Sequence, residues 1–230
     1  MRYLISFICL LLGLTVSGQV AHVSYRLSAH YGARVDSFER EQPVDSTNIV
    51  MLGDSHTEFG GNWNERIGGV TNILNRGIIG DTAHGIQMRL SQILPGHPRA
   101  IFLLCGTNDI SHGIGPKAVF NNLRQVIVAI RKQSPQTRLY VQSIPPLNQH
   151  FGRWKSMEGR DEEIVAVNSL LSNYCRDNGI VFIDMYRKFT RGSSNELIPS
   201  MSRDGLHFSE LGYKVWAAQI RPYIWEANRK

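Results

Sequence analysis

Five short runs of apolar residues recur along the chain, and the clearest of them show no polar alternation. They fall at residues 48–52, 71–75, 100–105, 138–143 and 180–184, and Ile49-Val50-Met51-Leu52 and Ile101-Phe102-Leu103-Leu104 are their purest stretches. Successive side chains of a strand point to opposite faces, so a strand with one wet face alternates apolar and polar residues. A strand that is apolar throughout is buried on both faces, which is the mark of a parallel sheet. Parallel neighbours also need long crossover connections, usually helices.

The intervening segments supply those crossovers. Residues 83–94 carry Ile86, Leu90 and Ile93 at helical spacing, with Asp81 or Thr82 placed to cap the N-terminus. Residues 116–133 read as a long amphipathic helix opened by Pro116. Residues 162–178 form another, closed by Gly179, and residues 209–225 form the last. Residues 62–68 fit a short helix. Residues 23–41 fit a helix ahead of the first strand, ended by Pro43. The expected fold is α/β, a three-layer α/β/α sandwich around a five-stranded parallel sheet.

The chain has 230 residues, which suits one domain of this kind. Its formal net charge is +6, but Arg66, Arg76, Arg89, Arg99, Arg124, Arg131, Lys132 and Arg138 are dispersed. No basic cluster with interleaved aromatic residues appears, so nucleic acid is not the expected partner.

The N-terminus carries a separate message. Met1-Arg2-Tyr3 leads into an apolar stretch at residues 4–16, followed by small and polar Ser17-Gly18-Gln19. This is the pattern of a secretory signal peptide, and the stretch is too short for a spanning helix. Residues 1–21 are expected to be a signal peptide cleaved between 18 and 21, leaving residues 22–230 as a single domain. The mature protein is then secreted or periplasmic, without stable membrane insertion. Cys9 leaves with the leader. Cys105 and Cys175 remain, and both read as small buried hydrophobes.

In a sheet of this type, ligands bind outside the carboxyl ends of the strands. Four segments there concentrate Gly, Ser, Asn, Asp and His: Gly53-Asp54-Ser55-His56, Gly77-Ile78-Ile79-Gly80-Asp81, Gly106-Thr107-Asn108-Asp109 and Asp204-Gly205-Leu206-His207. Acyl transfer needs a nucleophile, a base to take its proton and a group to hold that base. Ser55, His207 and Asp204 are candidates for those three parts. It also needs donors for a developing oxyanion. The Ser55 and Gly80 backbone N–H groups and the Asn108 carboxamide are candidates.

The four segments, in this order and spacing, resemble the four blocks of the SGNH or GDSL-type hydrolases. The stretch from Pro43 to Trp225 is similar to their platelet-activating-factor acetylhydrolase-like branch. The resemblance implies a flavodoxin-like fold and a serine esterase. It implies Ser55 as nucleophile, His207 as base, Asp204 as its orienting carboxylate, and Gly80 and Asn108 as oxyanion donors. One position departs from the pattern, since His56 follows the serine where the family often has Leu or Ile. The Gly-x-Ser-x-Gly elbow of α/β-hydrolases is absent, because position 57 is Thr.

Other residues have plainer expected roles. Asp54, Asp81 and Asp109 read as loop braces, and His84 and His112 as surface histidines. His56, Trp63 and Trp154 are candidates for the pocket rim, and residues 145–160, which include Trp154, read as an ordered rim loop. Two readings from other classes compete. Asp54-x-His56, Gly80-Asp81 and Asn108-Asp109 echo a binuclear metal-dependent phosphoesterase, but His84 stands where a second Asp is needed and no Gly-His-x-His follows. A catalytically inactive carbohydrate-binding module would have no use for the full set of catalytic groups. The expectation is an esterase with no metal and no organic cofactor. Its substrate is a small-molecule or carbohydrate ester, with an acetylated carbohydrate first and a lysophospholipid or short-chain lipid ester second. No feature assigns an oligomeric state.

Overall fold

The computed structural model describes residues 27–229, so the expected signal peptide lies outside the described residues. Helix α1 (Ala29–Arg40) begins where the Ser28 hydroxyl accepts the Tyr31 N–H. Strand β1 (Ile49–Gly53) runs into α2 (Ser55–Glu58), followed by α3 (Trp63–Ile67) and β2 (Ile73–Gly77). Then come α4 (Ala83–Met88), β3 (Ala100–Leu104), α5 (Thr107–Ser111) and α6 (Pro116–Gln133). The chain closes with β4 (Arg138–Gln142), α7 (Asp161–Asp177), β5 (Val181–Ile183) and α8 (Glu210–Asn228).

The five strands form one parallel sheet in the order β2-β1-β3-β4-β5. This is the flavodoxin-like order, whose switch point lies between β1 and β3. Burial on both faces is visible in the alternation of single strands. Val50, Leu52, Ile101 and Leu103 enter one apolar cluster with Leu123, Ile127 and Ile130 of α6 and Val167 and Leu171 of α7. Ile49, Met51, Phe102 and Leu104 enter a second cluster with Trp216, Ile220 and Ile224 of α8. The unalternating runs are therefore strands sandwiched between two helical layers. Cys105 and Cys175 are both buried and unbridged.

Four differences from expectation stand out. The helix expected over residues 83–94 stops at Met88 and continues as 3₁₀ turns at Leu90–Gln92 and Leu94–Gly96. Pro95 disfavours α geometry in the residue before it and supplies no N–H. Strand β2 is shifted two residues later than expected and carries a buried Arg76, whose guanidinium meets the Glu41 carboxylate at 2.6 Å. Helices α2 and α5 were not expected at all. Each is a single turn, too short to show a hydrophobic period. Helix α8 also runs to Asn228, beyond the expected end at 225. Among the described residues, no helix is long and apolar enough to cross a membrane.

Candidate active site

Ser55 is the first residue of α2, where the chain leaves β1 at the carboxyl edge of the sheet. Its hydroxyl lies 3.0 Å from Nε2 of His207, which stands in the segment before α8. Nδ1 of His207 lies 2.8 Å from Oδ2 of Asp204. A carboxylate only accepts, so Nδ1 carries the proton and Nε2 accepts from the Ser55 hydroxyl. The other oxygen, Asp204 Oδ1, accepts the backbone N–H groups of Leu206 at 3.0 Å and His207 at 2.8 Å. Residues 152 positions apart are thus joined at one rim of the sheet.

The Asp204–His207 turn is held from below by Ser202. Its hydroxyl donates to the His207 carbonyl and accepts the N–H groups of Asp204 and Gly205. Gly205 has φ +92°, and a Cβ there would sit 2.5 Å from the Asn148 carbonyl oxygen. The turn therefore needs glycine for conformation and for space.

Two neighbouring strand ends complete the rim. Gly80 lies exposed after β2 with φ +79°, a conformation that glycine adopts without strain. Asn108 stands in α5 after β3, where one N–H of its carboxamide donates to the Asp81 carbonyl at 2.9 Å. That bond sets the amide plane and leaves its second N–H available. Behind these loops lies a buried ionic brace. Arg89 pairs with Asp81 at 2.8 Å and donates to the Gly53 carbonyl at 3.1 Å. Asp109 accepts the Ala83 N–H at 3.1 Å. Asp54, Asp81 and Asp109 all take the bracing positions expected of them. Thr82, rather than Asp81, caps α4.

Two of the expected rim residues are elsewhere. His56 is 1% exposed and lies beneath His207, so it is no part of a rim. Trp63 is also 1% exposed and packs against Tyr213 and Trp216, with its indole N–H donated to the Thr57 carbonyl. The apolar partner face of α8 claims it, a tertiary effect that its sequence neighbours do not announce. Trp154 is 39% exposed, and its ring meets His207 edge-to-face with centroids 5.1 Å apart. It stands beside His207 and open to solvent. His84 and His112 are exposed. Two contributors were missed. Phe59 meets the His207 ring at 5.1 Å, and the Arg203 guanidinium lies 4.0 Å over Phe59. Phe59 sits four residues after Ser55, one helical turn along, which is the signal that was there to find.

The charges around the site differ in character. Burial pushes the His207 imidazole below its ordinary value, reinforced by His56, while the Asp204 hydrogen bond opposes both. Asp204 is held below the usual carboxylate range: burial works against this, but its bonds from His207 and Leu206 prevail. Burial pushes Asp81 up to about 6 against the pull of Arg89, and Asp109 up to about 7 against its amide donors. Among the described residues, no three His, Cys, Asp or Glu side chains are grouped to hold a metal ion.

A hydroxyl, an imidazole and a carboxylate in hydrogen-bonded series are the parts of an activated serine. The known proteins that resemble this chain are esterases, lipases and acylhydrolases. Residues 51–215, which include all four rim segments, match the GDSL-like Lipase/Acylhydrolase family. A GDSL esterase/lipase of Oryza sativa subsp. japonica is 26% identical over 206 residues, covering 78% of each chain. The platelet-activating factor acetylhydrolase IB subunit alpha1 of Rattus norvegicus is 27% identical over 192 residues, covering 81% of this chain and 77% of its own. The crystal structure of a GDSL-like lipase from Bacteroides thetaiotaomicron superposes with a TM-score of 0.74 at 20% identity, covering 86% of this chain and 98% of that one. An acetyl xylan esterase structure gives 0.63 at 19% identity, covering 78% and 98%. The family match spans most of the chain and the sheet order agrees with it, so this protein belongs to the GDSL-like lipase/acylhydrolase family and is a carboxylic ester hydrolase.

Proposed function

We propose that the protein hydrolyses acetyl esters through a Ser55–His207–Asp204 triad, with an acetylated carbohydrate as substrate. The supporting observation is the unbroken series from the Ser55 hydroxyl to His207 at 3.0 Å and from His207 to Asp204 at 2.8 Å. His207 takes the Ser55 proton as Oγ attacks the ester carbonyl. The carbonyl oxygen becomes an oxyanion, held by the Ser55 and Gly80 N–H groups and the Asn108 carboxamide. Collapse of the tetrahedral species breaks the ester bond, and His207 gives its proton to the departing alcohol. Water then attacks the acyl-enzyme, with His207 as base again, and releases the acid. Asp204 stays ionised throughout and stabilises the imidazolium.

The acyl group is read as acetyl because two different relatives share it by name, a platelet-activating factor acetylhydrolase and an acetyl xylan esterase. The alcohol is read as a sugar because Trp154 stands half-open beside His207. An exposed indole at a wet rim offers an apolar surface with a polar handle, a partner for the C–H faces of a sugar ring. The leader-like pattern of residues 1–21 supports export of the mature enzyme from the cytoplasm in this reading. The test is a panel of acetylated sugars and lysophospholipids, run on wild type and Ser55→Ala. The proposal expects turnover of the sugar acetates, lost by several orders of magnitude in the folded variant. Preference for lysophospholipid would overturn the substrate, and full activity in Ser55→Ala would overturn the mechanism.

A further inference from the structure

His56 has an environment that the reaction just described does not account for. Both ring nitrogens face acceptors. Nε2 lies 3.1 Å from the Leu206 carbonyl oxygen, which can only accept, so Nε2 carries a proton. Nδ1 lies 3.1 Å from Oδ1 of Asp54, an oxygen that already accepts the His56 backbone N–H at 2.9 Å. Asp54 is fully buried. A buried carboxylate is costly unless a cation answers it, and an ionisable ring nitrogen of His56 stands 3.1 Å from Asp54. A ring with N–H groups on both nitrogens is an imidazolium.

The position of this ring matters. Its centroid lies 5.4 Å from that of His207. Its Nε2 bond reaches the residue immediately before His207, and its own carbonyl accepts the Tyr213 hydroxyl of α8 at 2.8 Å. His56 therefore pins the Ser55 turn to the segment that carries the base. We propose that His56 is a permanently charged positioning residue, which fixes Ser55 against His207 and disfavours a second positive charge on His207. The inference rests on His207 being the base.

The surrounding charges favour this arrangement. Burial alone would lower the His56 pKa, but the Asp54 carboxylate, the Leu206 carbonyl and Asp204 together raise it. His207 faces His56 from α2 and Asp204 and Arg203 from its own segment; burial, His56 and Arg203 lower its pKa and Asp204 raises it. Tyr213, packed against both elements, is pushed up by burial and stays neutral. The consequence is a base that remains neutral, and able to accept the Ser55 proton, in mildly acidic solution.

Two unit charges at this separation shift one another by about half a pH unit at the dielectric of water and about two at an effective protein dielectric near 20, so a shift of roughly one unit is expected between these limits. In His56→Gln, the acid limb of kcat/KM for p-nitrophenyl acetate should move upward by about that much. At one pH unit below the wild-type midpoint, the variant should lose about tenfold more activity relative to its own plateau. A residue that merely filled space would change the plateau and leave the midpoint in place. Because His56→Gln can fail to fold, nitrogen NMR of ¹⁵N-histidine-labelled wild type supplies the second measurement. It should find protons on both His56 nitrogens throughout the pH range in which His207 titrates. A singly protonated His56 in that range, or a folded variant with an unmoved acid limb, overturns the inference. Activity persisting in His207→Ala would instead overturn the assignment of the base.

Discussion

Asp204 and Asp109 are carboxylates at two parts of the same rim, and their surroundings do opposite things. Asp204 keeps a side-chain exposure of 14% and receives three N–H groups, from Leu206, the His207 backbone and the His207 ring. Those donors keep it ionised below the usual range. Asp109 has no exposure and braces the next loop through the Ala83 amide, and burial raises it to about 7. The comparison separates two uses of one residue type. A carboxylate that must hold charge beside a base is given donors, whereas one that only ties loops together is left short of them and titrates near neutrality.

The sharpest way to break this comparison is to remove the charge of Asp204. Asp204→Asn should lower kcat by on the order of 10⁴-fold, because His207 loses both its orientation and its counter-charge. His207→Ala should cost at least as much. If Asp204 acts only through His207, the double variant should be no worse than His207→Ala, measured as kcat/KM on one ester. Additive losses would give Asp204 a separate role. The wild-type acid limb should lie below the ordinary imidazole value near 6.5, since the His207 pKa is lowered and only its neutral form accepts the Ser55 proton.

The proposed oxyanion donors come next in size. Asn108→Ala should lower kcat by about 100- to 1,000-fold with little change in KM, because its bond matures in the transition state. A raised KM with normal kcat would make Asn108 a substrate-binding residue.

Asp109→Asn should do the reverse of Asp204→Asn, leaving kcat within a few-fold and changing stability. The sign follows from linkage. An Asp raised from 3.8 to about 7 in the folded state binds a proton that the unfolded chain has lost. The contribution of Asp109 to wild-type stability should therefore fall as pH rises from about 4 to about 7, by roughly 1–4 kcal/mol. Asn cannot titrate, so the variant should match wild type near pH 4 and have the higher Tm at pH 8. Equal Tm shifts at both pH values would contradict the raised Asp109.

Much of this arrangement is legible before any coordinates. The unalternating runs around β1 and β3 announce two-sided burial, and the order of the four polar segments brings Ser55, Gly80, Asn108, Asp204 and His207 to one edge. What remained hidden depends on partners distant in sequence. Trp63 looks like a rim residue until α8 packs Tyr213 and Trp216 against it. His56 looks like a variable neighbour of the serine until the Leu206 carbonyl, 150 residues away, meets its ring. The Asp81–Arg89 pair joins the loop before α4 to the turn after it, and no local periodicity encodes it. The smallest predicted effect belongs to the rim. Trp154→Ala should raise KM several-fold for a sugar acetate and leave kcat nearly unchanged.

In the proposed mechanism Ser55 is the residue that becomes acylated. The most direct test treats the native enzyme with a fluorophosphonate and maps the labelled peptide by mass spectrometry. A single adduct on Ser55, formed in step with the loss of esterase activity and absent from Ser55→Ala, is the predicted result. Inactivation with the adduct on any other residue, or full labelling of Ser55 with activity intact, would contradict it.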